Sequence, residues 1–329
     1  MSEARKRRSV IVTGGAGGLG FQCARFVGAE DPDAMAVLAC RNVTSGILAK
    51  AELKKLGIAA AVLPLDLASL ESVREFVALF RVSQLPPAAG LVCNAGVQNV
   101  GAPQRTVDGF ETTFAINHLG HFLLVNLLLP DLVEDSRIVF VSSGTHDPAT
   151  KSGMPAPRYE SASTTADDFE PGGAAGRRRY TTSKLCNLYC AYELARRLES
   201  AADPRLRSIR VHAFDPGLMP GTGLARTYPA PLRFLWRHVL PVLARSRPNV
   251  HSPAESGRRL AKLATDFGDK STGRYVSDGR AIRSSPLSYD AGKARELWEA
   301  SAAMAGIDPA IEAASRMAPP SADAVSASG

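Results

Sequence analysis

Ser9-Val-Ile-Val-Thr-Gly-Gly-Ala-Gly-Gly-Leu-Gly20 decides how the chain is read. Ser9 to Thr13 has the composition of a short buried strand. A glycine-rich turn follows at once, and then a segment of helical character running to about Glu30. Glycines let the backbone approach a pyrophosphate closely. The unpaired N–H groups and positive dipole end of the following helix favour the anion. Strand, glycine turn and helix in this order predict a nucleotide site, with Thr13, Gly14, Gly18, Leu19 and Gly20 as its candidate residues.

Outward from this turn, strands alternate with helices. Ala36–Cys40, Ala60–Leu65, Gly90–Asn94, Arg137–Ser142, Ile209–Phe214 and Arg274–Val276 read as further strands. Helical stretches lie between them, over about 44–56, 108–129 and 180–198, from Pro253, and over 291–305. In the helix that Ser69 could cap, Val73, Phe76, Val77 and Phe80 recur at spacings of three and four. The alternation predicts an α/β protein: a single doubly wound (Rossmann) domain over residues 9–306 with a mostly parallel, seven-stranded sheet. Two Gly-, Pro- and Ser-rich stretches break the rhythm, 144–179 and 217–252. They are too long for ordinary connections and are expected to form a lid over the substrate. Residues 307–329 are expected to be a disordered tail. No internal repeat and no dividing linker is visible.

Composition narrows the classes. The chain has 329 residues, 45% hydrophobic and 22% charged, as ordinary globular proteins do. No apolar run is long enough for a transmembrane helix, and the richest, Phe122–Leu129, contains Asn126 and ends at Pro130. The basic N-terminal residues Arg5 to Arg8 leave no room for a signal peptide before the glycine turn, so a cytoplasmic location is expected. The net charge of +7 is dispersed, without the aromatic-interleaved basic stripe of a nucleic-acid face. Cys23, Cys40, Cys93, Cys186 and Cys190 lack paired metal spacings and read as reduced, structural residues; no metal site is expected.

The candidate chemistry lies in Tyr180-Thr-Thr-Ser-Lys184. On a helix, Tyr and Lys four residues apart share a face. An ammonium beside a phenol stabilises the phenolate. A Tyr working near neutral pH needs a shift of about 3 units, or roughly 4 kcal/mol. Such a Tyr can donate or accept a proton during a reaction.

Together these stretches resemble the short-chain dehydrogenase/reductase family over roughly residues 9–280. The turn fits its TGxxxGxG pattern, and Asp66-Leu67 follow the third strand where the family's acidic residue meets adenine. Asn94-Ala95-Gly96 matches its NAG motif, Tyr180 and Lys184 its YxxSK motif, and Pro216-Gly217 its PG motif. The resemblance implies a catalytic set of Asn117, Ser143, Tyr180 and Lys184, with Asn117 holding a water linked to the lysine. It also implies that Thr222, one place later than usual, meets the carboxamide. In the window Ala39-Cys-Arg41-Asn42 there is no acid to hold ribose hydroxyls. Arg41 favours a 2′-phosphate, so NADP(H) is expected rather than NAD(H). His118, His121 and Cys186 are expected to be structural.

Within the family, Leu65–Arg74, Asn117–Phe122 and Ser183–Asn187 look like light-dependent protochlorophyllide reductases and retinol-dehydrogenase-like members. That similarity implies a bulky lipophilic substrate. One departure stands out: photoreductases carry a Cys directly after the PG pair, and here the residue is Leu218. The expected activity is therefore an NADP(H)-dependent carbonyl reductase or alcohol dehydrogenase. Protochlorophyllide-like C=C reduction and non-catalytic NADP(H) sensing are the alternatives. Leu232, Phe234, Leu235 and Trp236 read as a lid at the site mouth. With Arg233, Arg237 and Arg245 the same stretch could be a peripheral membrane anchor. Oligomeric state is left open.

Overall fold

The computed structural model describes residues 8–219 and 250–311. Its strands are β1 (Arg8–Thr13), β2 (Ala34–Cys40), β3 (Ala60–Pro64), β4 (Ala88–Cys93), β5 (Leu132–Val141), β6 (Arg210–Asp215), β7 (Arg274–Ser277) and β8 (Arg280–Ile282). They form one sheet in the order β3-β2-β1-β4-β5-β6-β7-β8, parallel except for the last pair. Each parallel crossover needs a helix, and those helices cover both faces. Strand order reverses between β1 and β4, the place where open α/β sheets hold ligands beyond their carboxyl ends.

On one face, α3 (Leu70–Val82) and α7 (Gly173–Glu199) pack into the larger core with α10 (Ala291–Ala305), whose Trp298 is fully buried. The opposite face is covered by α1 (Gly18–Glu30), α2 (Val43–Lys55) and α9 (Pro253–Thr265). Local chemistry starts and stops these helices. Asn42, Ser69, Ser252 and Asp290 each accept a first-turn N–H at a helix start, and Gly306 ends α10 in the left-handed region.

The sheet has eight strands where the sequence predicts seven. Asp278 and Gly279, with φ of 52° and 72°, make the tight two-residue turn that adds β8 at the edge. β5 starts at Leu132 rather than Arg137, because a bulge around Asp135 interrupts the apolar pattern. The helix carrying Tyr180 begins at Gly173, inside the first excursion. Gly176 looks like a helix breaker, but a Cβ there would lie 2.2 Å from the Asn99 carbonyl oxygen, so close packing demands glycine. Of the stretch 307–329, residues 307–311 are described: Ile311 is buried, and Trp298 Nε1 donates to the Pro309 carbonyl at 2.8 Å.

The stretch Thr112–Asp131 contains α4 (Thr112–Phe114), a π-helical turn at Ala115–Leu119 and α5 (Gly120–Leu128). It is long and apolar enough to cross a membrane by length and mean hydropathy alone, but 89% of its most apolar window is buried, as in the core helix of a globular fold. All five cysteines are free and buried. Among the described residues no cluster suits a metal ion.

Candidate active site

A cavity of about 850 Å³ opens at the carboxyl ends of the central strands. Its first wall is the Thr13–Gly20 turn. A Cβ on Gly20 would stand 2.5 Å from the Gly14 carbonyl oxygen and 2.6 Å from Asn94 Nδ2, so only glycine fits where the turn folds onto the β4 loop. Gly17 caps α1 without a side chain, and space beside Gly17 and Gly18 is open. The first-turn N–H groups of α1 are thus left without a side-chain cap at the cavity.

Thr13 joins this turn to the next loop. Its Oγ1 accepts from the amides of Asn94 and Ala95, both at 2.9 Å, while Asn94 Nδ2 donates to the Thr13 carbonyl at 2.7 Å. His121 completes the junction. Its Nδ1 lies 3.2 Å from the Asn117 carbonyl, which can only accept, so Nε2 is left to accept from Thr13 Oγ1 at 2.8 Å. Burial holds His121 neutral, lowering its pKa to about 4. His118 lies deeper, paired with Ser301 and lowered to about 3 by burial.

Arg41 is exposed on the cavity wall, with no ion pair among the described residues. Asn42 instead spends its side chain capping α2, accepting from Ser45 N at 2.8 Å, and lies outside the cavity lining. Asp66 lines the wall and accepts from Ala68 N at 3.0 Å. Leu67, also in the lining, packs tightly on Gly120.

The second wall carries the side chains with proton chemistry. Ser143 follows β5, and Tyr180 and Lys184 project from α7 into the same cavity. Tyr180 and Lys184 are both buried, with the lysine Nζ 5.5 Å from the phenol ring centre. Nζ donates to the Val141 carbonyl at 3.0 Å. Burial lowers the Lys184 pKa to about 8, and the negative charge of Asp215 opposes that fall. Ser142 Oγ fixes the lysine's own backbone, donating to its carbonyl at 2.8 Å.

Asn117 sits on the π-helical turn behind them. Its Oδ1 accepts from Val97 N at 2.8 Å, and its Nδ2 donates to the Val97 carbonyl and to Ser183 Oγ. Both ends of its amide and its carbonyl are therefore engaged, which ties the Gly96–Val97 loop to α7. Gly96 lies against Lys184: a Cβ there would be 3.6 Å from Nζ. Ala95, Pro216 and Gly217 also line the cavity. Thr222 lies outside the described residues, as do Leu232, Phe234, Leu235 and Trp236.

Only part of the first excursion reaches the site. Ser143 to Met154 contribute to the cavity, whereas the stretch from Arg158 turns away. Thr182 Oγ1 accepts from Arg158 N at 2.9 Å, Tyr159 Oη donates to Glu296, and Ala162 N donates to Glu296 Oε1 at 3.0 Å. Sequence reasoning missed Asp215, Gln98 and Met154 in the lining. For Asp215 a signal was present: an acid closing an apolar strand directly before Pro216-Gly217.

A family model described as short chain dehydrogenase matches residues 8–158. Chloroplastic protochlorophyllide reductase A of Oryza sativa subsp. japonica is 34% identical over 327 residues, 91% of this chain and 80% of that protein. The chain belongs to the short-chain dehydrogenase family. Another member, protochlorophyllide reductase of Avena sativa, is 33% identical over 91% of this chain and 99% of its own length. Among solved structures, the angucycline C-6 ketoreductase LanV with bound NADP superposes with a TM-score of 0.58. It is 22% identical and covers 82% of this chain and 93% of its own. A blue fluorescent protein from a metagenomic library, in complex with NADPH, gives 0.59 at 22% identity over 84% and 98%. At that identity the two structures speak for the family's fold.

Proposed function

We propose that this short-chain dehydrogenase is an NADP(H)-dependent oxidoreductase acting on a carbonyl or alcohol of a bulky, lipophilic substrate. The observation that carries the reading is the meeting of Ser143, Tyr180 and Lys184 in the cavity that also holds the uncapped start of α1. The residues fit the dinucleotide. The glycine turn leaves room for a pyrophosphate, and Arg41 offers an unpaired guanidinium for a 2′-phosphate. NADP-bound LanV and the NADPH-bound fluorescent protein support the same cofactor. When bound, the nicotinamide supplies or accepts the hydride.

The protein handles the proton. In the reducing direction Tyr180 gives its phenolic proton to the substrate oxygen, and Ser143 donates a hydrogen bond to that oxygen as charge gathers on it. The Lys184 ammonium stabilises the phenolate left on Tyr180. Asn117 is a positioning residue here, holding the Val97 loop and Ser183 around the lysine. Oxidation runs the same transfers backwards. Val97, Met154, Leu218, Met219 and Val250 give the substrate end an apolar lining.

A second reading, reduction of a C=C bond, is favoured by the protochlorophyllide reductases among the relatives. Against it, the residue after Pro216-Gly217 is Leu218, whose side chain has no proton to give. One assay separates the readings: absorbance at the nicotinamide band against a panel of hydrophobic ketones, aldehydes and alcohols, with protochlorophyllide in light as a further arm. Turnover in the panel supports the proposal. Turnover of protochlorophyllide alone replaces it with the second reading, and tight NADPH binding without any turnover replaces it with a sensor.

A further inference from the structure

Asp215 closes β6 inside the cavity, one residue beyond Phe214. Phe214 pairs with Val141, whose carbonyl holds Lys184 Nζ, so carboxylate and ammonium come from adjoining strand-end positions. The carboxylate is buried, and its hydrogen bonds come from neutral donors. Gly217 N donates to Oδ1 at 3.0 Å and Ser277 Oγ donates to Oδ2 at 3.0 Å, and Tyr275 lies beside the carboxylate. Neutral donors satisfy the buried oxygens without bringing a positive charge of their own. Lys184 is the complement: a buried ammonium held by a carbonyl, with no salt bridge among the described residues. Charges that do not touch still interact strongly where water is excluded.

Among the described residues, the neighbouring groups leave this pairing without a rival. His146, after β5, donates from Nδ1 to the Ser143 carbonyl and accepts from Ser285 N, so it is neutral, as burial also favours. His121, buried within electrostatic reach of Lys184, is neutral by the same cause. Asp147 acts on His146 and Tyr275, and Tyr180 presents a phenol from the lysine's own helix.

We propose that Asp215 is the counter-charge that keeps Lys184 in its ammonium form within the cavity. It is a positioning residue that acts through the lysine and needs no contact with substrate. Its importance for turnover rests on the function proposed above; the charge pairing itself does not. Without it, burial alone would govern Lys184, and the larger share of neutral amine from neutral pH upward would give a phenolate less support.

The test is an NMR titration of the full chain labelled with [13Cε]lysine, the Lys184 signal being assigned by its loss in Lys184→Met. In Asp215→Asn the Lys184 pKa should fall by at least about half a unit, less than the roughly 1–3 units of a charge pair in contact, because the two groups do not touch. Asp215→Ser, a second charge-free variant, should do the same and serves if the first fails to fold. Asp215→Glu should restore most of the value, and Ser277→Ala, which removes a hydrogen bond and keeps the charge, should leave it unmoved. In parallel, the limb of the turnover–pH profile set by Lys184 should move to lower pH by the same amount as the titration. An unchanged Lys184 pKa in a folded charge-free variant overturns the proposal, as does an equal fall in Ser277→Ala. A fall confined to the charge-free variants, in a protein with no turnover on any substrate, upholds the pairing and rejects the enzymatic reading.

Discussion

The two walls of the cavity are built on opposite principles. The Thr13–Gly20 wall is made of backbone: glycines where side chains would collide, an uncapped helix start, and Thr13 and Asn94 pinning one loop to another. The Ser143–Lys184 wall is made of side chains, several of them polar and buried. A backbone wall gains affinity from shape and costs little to desolvate. The side-chain wall spends stability to hold a charge where chemistry needs it. On the proposed function, binding and reaction should thus be separable by mutation.

Lys184→Met should break the contrast most completely. Turnover should be abolished, yet at pH 7 the variant should be more stable by about 3 kcal/mol, the cost implied by a lysine pKa lowered to about 8. The sign follows from proton linkage. Below pH 8 both folded and unfolded chains carry the proton and the folded one bears the full penalty. Between pH 8 and the unfolded value the folded lysine is already neutral, so wild-type stability rises with pH and the gap narrows. Thermal melts of both proteins across that range read it directly. Tyr180→Phe keeps the buried ring and removes the transferable proton. Turnover should drop at least ~100-fold with NADPH binding retained, and unaltered turnover would reject the assignment of Tyr180.

The backbone wall should answer differently. In Gly20→Ala the new methyl meets a carbonyl oxygen and an amide, so the melt should show a loss of about 1–3 kcal/mol and fluorescence titration should show weakened NADPH binding. Arg41→Ser is the mildest change: NADPH affinity should fall roughly tenfold or more while NADH affinity holds, as expected for loss of a charge-assisted contact to the 2′-phosphate. Equal losses for both cofactors would remove Arg41 from that role.

The two walls also differed in how legible they were. The Thr13–Gly20 turn, the Asn94–Gly96 loop and the Tyr180–Lys184 spacing are local patterns, and local physics restricts what each can form. Asp215 is not legible locally because its setting depends on Ser277, far along the chain. From the sequence His121 reads as structural. Its bonds are, but they link Thr13 to Asn117 and so couple the nucleotide turn to the chemistry. The β5 bulge and the Gly176 contact hid true boundaries, since a pattern search treats both as interruptions. The first excursion offers no periodicity at all. It is fixed by single long-range bonds such as Tyr159 to Glu296, which nothing in either neighbourhood announces.

Those bonds have an evolutionary consequence. Residues 143–154 leave β5 at a serine whose carbonyl is gripped by His146, and the chain is fastened again where Arg158 meets Thr182. Neither anchor depends on what lies between Thr150 and Met154, which line the cavity where the proposed function places the substrate. The interval is in effect an exchangeable cassette. A lineage can lengthen, shorten or rewrite it and sample new substrates, leaving the proton machinery and the folding of α7 and α10 undisturbed.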